Sequence, residues 1–390
     1  ASRVHYAVAA VLAFSTVGLL FVFARFSFGY FAGFYLYTMV LGFIWLSCFT
    51  RYDYDHKLAG VSAAISMLLF LLPALLINAP IKQLYALPEQ AFERLLRSIL
   101  VLAVLTIGVA STYNFKIISV DHIYDFRAEL SFPTILRYSI GIVSNVLLPF
   151  AFAAYLTLNH RWWAGVTLLL LLLFYPVTLT KFAFFAPVWI VTLLILSKIV
   201  ECRLVTILPL LLTALIGVVS ISTYPSNEAL KYFNTINIRM LATPSSAMDI
   251  YNDFFANHPL TYFCQISFLK ALPNCPYQEP LSVVMEKAYG FGKLNASLFA
   301  TEGIASVGLY FAPLAALACG LVIGIANRLS AGLPPRFVLV SGALLPQALV
   351  NVPFTTVLLT HGAVLLFLLW YITPRATSAS AAARGEFETE

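Results

Sequence analysis

The sequence predicts an all-α polytopic membrane protein, and three observations predict it. Of 390 residues, 61% are hydrophobic and 10% charged, with a mean hydropathy of +0.89, whereas a soluble domain carries about 25% charged residues. The apolar residues come in continuous Leu-, Ala- and Phe-rich runs, many near the ~20 residues a bilayer crossing needs. Those runs lack the alternation of a barrel strand, and in lipid only a helix or a closed barrel satisfies its own backbone. The expected organisation is one integral membrane domain over 1–375 with a long polar loop at 223–302; the low-complexity stretch 376–390 reads as an appended, disordered tail.

In chain order the expected spans are Tyr6–Phe23, Tyr30–Phe49, Leu58–Asn78, Ser98–Thr112, Ser139–Leu158, Gly165–Leu179, Phe182–Ser197 and Leu204–Ser222. After the polar loop come Gly303–Ala326, Phe337–Leu358 and Ala363–Ile372, about eleven in all. No clear small-residue cleavage site follows the first run, so it is expected to be a retained helix. The two helices flanking Lys181 are short and the last is shorter. Pro176, Pro187, Pro346 and Pro353 are expected to kink or end their helices. Pro88–Arg97 has helix-starting chemistry and one apolar face, which suits an interfacial helix.

Net charge +6 and pI near 9 are explained by basic residues at cytoplasmic connections and anionic headgroups. No Lys/Arg run or aromatic–basic interleave supports a nucleic-acid partner. Odd-numbered connections hold Arg25, then Lys82, Arg94 and Arg97, then Arg161, Lys198, Arg203, Arg328 and Arg336. Even ones hold most carboxylates (Asp53, Asp55, Asp121, Asp125, Glu129, Asp249, Asp253), although Arg51, Lys57 and Lys116 lie there too. The positive-inside rule then makes the odd side cytoplasmic. This parity puts the Asp121–Arg137 loop, Lys181, the long loop and the Thr360–His361 turn on the non-cytoplasmic side, where they could share one site.

Within the long loop, Thr243–Pro244 reads as an N-cap with Pro at N1, starting a helix Pro244–Asn257 that lies on or dips into the bilayer. Tyr251 on that helix is a candidate substrate contact. Arg239 precedes it and Arg127 follows a span end. Arginines at a membrane surface usually touch headgroups or ion-pair partners, but a guanidinium also matches a diphosphate bidentately. Lys181 either snorkels to the interface or binds phosphate. A base able to reach an acceptor hydroxyl could be Asp125, Glu129, Asp249, Asp253, Glu286 or Glu302. Glu302 stands at the mouth of an apolar helix, where a charge is costly, or else caps that helix. His361 is either an interfacial histidine or a site acid or base.

No zinc-ligand spacing, phosphate loop, dinucleotide fingerprint or serine-nucleophile motif is present. Asn295-Ala296-Ser297 is a formal glycosylation sequon. Of five cysteines, Cys48, Cys202 and Cys319 lie in or beside spans. Cys264 and Cys275 share the long loop, where an oxidising compartment would allow a disulfide.

The stretches HIYDFRAEL, TLTKFAFFAPVW, NIRMLATPSSAMDIYNDFFANHP, YGFGKLNASLFATEGIASVGLYFAPLAAL and LLTHG, set in this order among the spans, resemble the bacterial O-antigen polymerases, the Wzy-type oligosaccharide repeat-unit polymerases. The arrangement of spans carries the resemblance over most of the chain. The Gly–Asn–Glu-Gly run entering a helix is its most telling part. The O-antigen ligases share the layout. The resemblance implies a GT-C-like glycosyltransferase needing neither metal nor other cofactor. It would move a glycan from undecaprenyl diphosphate onto another lipid-linked repeat unit at the periplasmic face of an inner membrane. Its partners would be those lipid-linked oligosaccharides and membrane lipids, with room for a chain-length regulator. By the same resemblance Arg127 and Arg239 bind diphosphate, with Lys181 assisting, and Asn295 and Glu302 lie by the reacting sugars. The chain departs from the pattern in having only Arg239 in the long loop. A ligase is the nearest alternative. A flippase would carry mid-membrane charges and an internal repeat, neither of which is evident, and a scaffold would need no such loop.

Overall fold

The computed structural model describes residues 2–119, 130–223, 226–233, 237–238, 242–266, 269, 275–292, 294 and 296–375. Among them there are helices and no strand, and nine helices are long and apolar enough to cross a membrane. The chain is a multi-pass, all-α membrane protein. In chain order the helices are α1 (Arg3–Phe23), α2 (Phe28–Ser47), α3 (His56–Leu76), α4 (Glu89–Ser111), α5 (Thr134–Thr157), α6 (Arg161–Thr178), α7 (Lys181–Ile199) and α8 (Cys202–Thr223). Then come α9 (Asn227–Tyr232), α10 (Thr243–Asn257), α11 (Leu281–Tyr289), α12 (Phe299–Ser330), α13 (Pro335–Ser341), α14 (Leu345–Asn351), α15 (Phe354–Leu359) and α16 (Ala363–Ile372).

Several expectations are corrected. The stretch expected as a separate interfacial helix is the first part of α4, which runs unbroken for 23 residues. No Gly or Pro separates Arg97 from the apolar run, so one ladder of hydrogen bonds continues through both. The helices beside Lys181 are 18 and 19 residues long, because Pro176 and Pro187 sit inside them without ending them. The expected span Phe337–Leu358 is instead three short helices, α13 to α15. Gly342 breaks it once, Pro346 opens the second piece and Pro353 stands just before the third, each removing or relocating a helical hydrogen bond.

The chain divides into two compact units. The first comprises Ala1–Asn78, Thr206–Asn327 and Pro346–Thr356. Here α2 packs on α1, α3 and α10. The buried Asn327 amide accepts from the Gly29 N–H at 2.7 Å and donates to the Ala74 carbonyl at 2.7 Å. A Cβ on Gly29 would stand 2.8 Å from that amide nitrogen, so the bridge needs glycine there. The second unit comprises Ala79–Val205, Arg328–Leu345 and Val357–Glu390. Its core is a hairpin of α5 and α6, with α4, α7 and α13 packed against it. Arg336, counted above as a surface cation, is buried and donates to the Ser197 carbonyl at 2.7 Å, near the negative end of α7.

The long helix α12 is not regular. It opens as a π-helical turn over Phe299–Ala305 and is interrupted at Gly308, whose φ of 74° and ψ of 171° are open to glycine alone among the common residues. The interruption leaves carbonyls without their helical donors. Two are taken by the loop: the Thr261 and Tyr262 N–H groups donate to the Ala305 and Ser306 carbonyls at 2.8 and 3.1 Å. Gly308→Ala should therefore lower the unfolding free energy by about 1–3 kcal/mol, read as a lower Tm for detergent-purified protein. Gly108→Ala, in a helix with open space around the added carbon, should leave Tm level or raise it.

Candidate functional site

Two groups of polar side chains collect around α10, both in the first unit. The helix starts one residue earlier than its Pro-at-N1 signal implied, and the Thr243 hydroxyl donates to the Ile238 carbonyl at 3.1 Å rather than capping it. Far from resting on a surface, α10 is enclosed. It packs on α2 and on the π-turn of α12, and Pro244, Met248, Tyr251, Phe254 and Phe255 are all buried. The Ser245 hydroxyl anchors it to the Met39 carbonyl at 2.8 Å.

The first group centres on Glu302. It sits, as expected, at the mouth of an apolar helix, in the first turn of α12 and within the π-turn, where it is 6% exposed; no helix starts at Gly303 for it to cap. Its Oε1 accepts from the Thr355 N–H at 3.0 Å and the Thr355 hydroxyl at 3.1 Å; its Oε2 accepts from the Thr301 hydroxyl at 2.5 Å. A carboxylate has about four acceptor sites, so this one keeps capacity for a further donor. The wider π-turn lets residues 301 and 302 present adjacent side chains to the same space. Burial, and secondarily the Glu302 charge, pushes the Tyr251 phenol up, which keeps its proton in place as a donor. The Ser297 hydroxyl and the Asn252 Oδ1 are buried with no hydrogen-bond partner among the described residues.

The second group joins α10 to the connection before α3. The Tyr54 hydroxyl donates to Asp249. Asp253 accepts from the Asp53 N–H at 2.8 Å and the Tyr289 hydroxyl at 2.5 Å. Tyr52 meets the Tyr289 ring edge-on at 5.6 Å, and the Tyr54 ring lies 4.2 Å from that of His56. Burial raises Asp249, against the hydroxyl bonds from Tyr54 and Thr50 that lower it. Burial and the adjoining carboxylates raise Tyr54 and Tyr289, so both remain proton donors.

Of the residues singled out in the sequence, Glu302 and Tyr251 come together in the first group and Asp249 and Asp253 in the second. Lys181 and His361 belong to the second unit. Lys181 is the half-buried first residue of α7, just after Leu179 in the left-handed region. His361 stands in the turn before α16, where Thr360 and Gly362 lie against Gly141 and Ile142 of α5. Arg127, Arg239 and Asn295 lie outside the described residues. Cys264 and Cys275 are disulfide-bonded, and the Tyr277 hydroxyl bonds the Pro259 carbonyl at 2.8 Å, closing the same turn. Thr355, Thr301, Tyr54 and His56 are the additions that the sequence reading passed over. The alternating Tyr52-Asp53-Tyr54-Asp55 was a signal for the second group; nothing in the sequence pointed from Glu302 to Thr355. Comparison with protein-family models, curated proteins and solved structures finds no match to the chain.

The raised Asp249 gives a pH test. A carboxyl whose folded pKa lies above its unfolded value of about 3.9 stabilises the fold fully below that value. The contribution is lost as pH rises through the folded pKa. Wild type should thus lose stability relative to Asp249→Asn across that window, by up to about 1.4 kcal/mol per pH unit. Melting curves of the two proteins from pH 4 upward, in steps of about one unit, would show a difference that closes with pH or one that stays flat.

Proposed function

We propose that the chain is a membrane glycosyltransferase that joins oligosaccharide repeat units carried on undecaprenyl diphosphate, at the periplasmic face of a bacterial inner membrane. The observation that carries this reading is Glu302: an ionisable side chain buried in an apolar bundle, bound by hydroxyl and amide donors, with further acceptor capacity. Ionisable groups in such surroundings are costly and usually mark function. The resemblance of the sequence motifs supplies the reaction class, and the side assignment follows from the charge parity of the connections.

On this reading an acceptor sugar hydroxyl attacks the anomeric carbon of the donor glycan. Its proton passes to Glu302, the new glycosidic bond forms, and the bond to the diphosphate oxygen breaks. The Thr301 and Thr355 donors hold the carboxylate in one orientation, and Tyr251 supplies a neutral donor nearby. Arg127 and Arg239 are the sequence's candidates for binding the diphosphate, whose developing charge needs fixed donors. The repeat-unit polymerase is the reading we favour; a ligase would use the same chemistry with a different acceptor.

The test is reconstitution in vesicles with an undecaprenyl-diphosphate-linked repeat unit and neither nucleotide sugar nor added metal. A ladder of longer lipid-linked oligomers is expected. Transfer only to a lipid A core would favour the ligase, and a change in lipid sidedness without new bonds would favour a transporter. Glu302→Gln keeps an acceptor for Thr355 and should retain its melting temperature while losing roughly 100- to 10,000-fold in turnover. Wild-type turnover in that variant would reduce Glu302 to a tie between α12 and Thr355. Arg127→Ala and Arg239→Ala should each insert normally and lose turnover.

A further inference from the structure

A groove of about 380 Å³ lies between α1, α2 and α3, within the size range of small-molecule sites. Its two ends differ in chemistry. Successive spans joined by short connections run antiparallel, so the start of α1, the end of α2 and the start of α3 lie at one end. That end carries Ser47, His56 and Lys57. The rest is apolar, lined by Phe14 and Val17 from α1 and by Ile65 and Leu68 from α3. From Lys57 to Leu68 the helix rises about 16 Å, at 1.5 Å per residue, or roughly half the hydrocarbon thickness of a bilayer.

Two further observations point to an occupant. The His56 Nδ1 is buried with no hydrogen-bond partner among the described residues, and a buried ring nitrogen left so costs free energy unless something meets it. Lys57 beside it is exposed and cationic. Small residues, Ala10 and Ala13 on one wall and Gly60 and Ala64 on the other, keep the channel from closing. At Gly60 an added Cβ would meet nothing within 4 Å. An anionic head with an apolar chain behind it complements this sequence of polar, then apolar walls.

We propose that the groove seats the first isoprene units of one of the two polyisoprenyl diphosphates that such an enzyme joins, with its diphosphate between Lys57 and His56 and the other left to Arg127 and Arg239. The identity of the chain rests on the glycosyltransferase reading; the site itself does not use Glu302. The head would then stand beside Tyr54, through whose contact with His56 and bond to Asp249 the groove adjoins α10. Sugars attached to the diphosphate would meet Tyr52, Tyr289 and Asp253, an aromatic and carboxylate surface suited to carbohydrate hydroxyls and ring faces.

The probe is a polyisoprenyl diphosphate bearing a photoactivatable group on its second isoprene unit, added to the full-length protein in vesicles. Label is expected in peptides containing Phe14 or Ile65. Unlabelled polyisoprenyl diphosphate should compete, and polyisoprenol or phosphatidylglycerol should not. Gly60→Phe puts a ring into the groove from a position where an added Cβ meets nothing within 4 Å, and should cut labelling roughly tenfold with Tm unchanged. Lys57→Gln with His56→Gln should bring the diphosphate down to the level of the polyisoprenol. Label only outside the groove, equal competition by phosphatidylglycerol, or full labelling of the groove in Gly60→Phe would each overturn the assignment. Its failure is separable from that of the function. Labelling of the groove without any polymer formed leaves the site standing and removes the polymerase. Polymer made at the wild-type rate by Gly60→Phe does the reverse.

Discussion

The first unit depends on one constraint: a backbone interrupted inside an apolar bundle must find partners that lipid cannot provide. The interruption is Gly308 in α12. It exposes carbonyls that the segment after Pro259 covers with its own N–H groups, and the Thr261 hydroxyl meets that of Ser306 at 3.1 Å. A polar loop is thereby fastened to a membrane helix at a fixed point. The π-turn just before the break then turns Glu302 inward to Thr355. Had α12 been regular from its first residue, neither the loop's docking nor the carboxylate's setting would follow.

The same constraint explains how α10 is enclosed despite a composition that no span would have. Its two carboxylates and Ser245 each find a partner. Asp249 takes the Tyr54 hydroxyl, Asp253 takes an N–H and the Tyr289 hydroxyl, and Ser245 reaches a carbonyl of α2. Buried polar networks of this kind favour one arrangement over its neighbours only when nearly all members are paired. The exceptions are then informative. Among the described residues of this unit, Tyr35, His56, Ser66, Asn78, Asn237, Asn252 and Ser297 hold buried polar atoms without partners. Of these, Ser297 precedes the π-turn of α12 by two residues, Asn252 is on α10, and His56 lines the groove.

The spans were legible because hydrophobic length is a strong signal: eight of the expected runs fall on α1 to α8 with shifted ends. The helix α10 was legible from Thr243–Pro244 and the run up to His258. What failed was the reading of proline. Inside α6 and α7 it is absorbed by the surrounding helix, whereas between α13 and α15 it combines with Gly342 to break the chain, and sequence alone does not separate the two cases. Glu302 was recognisable as an oddly placed charge, but its setting was not, since a π-turn leaves no periodic trace over seven residues. Thr355 lies 53 positions away, in a stretch that read as the last turn of a span.

The two polar groups on α10 are chemically different, and the difference bears on what each can do. Around Glu302 the donors are hydroxyls and an amide, with no cation among its hydrogen-bond partners in the described residues. A carboxylate so held is fixed in orientation by dipoles. Around Asp249 burial raises the carboxyl, against the hydroxyl bonds that lower it. Its bond from Tyr54 fixes the connection before α3. The helix α10 thus packs on the π-turn that holds Glu302 on one side and clasps the connection before α3 on the other. The clasp is also what holds Tyr54 against His56, so the geometry of the groove's polar end is set by α10 rather than by the spans that line it.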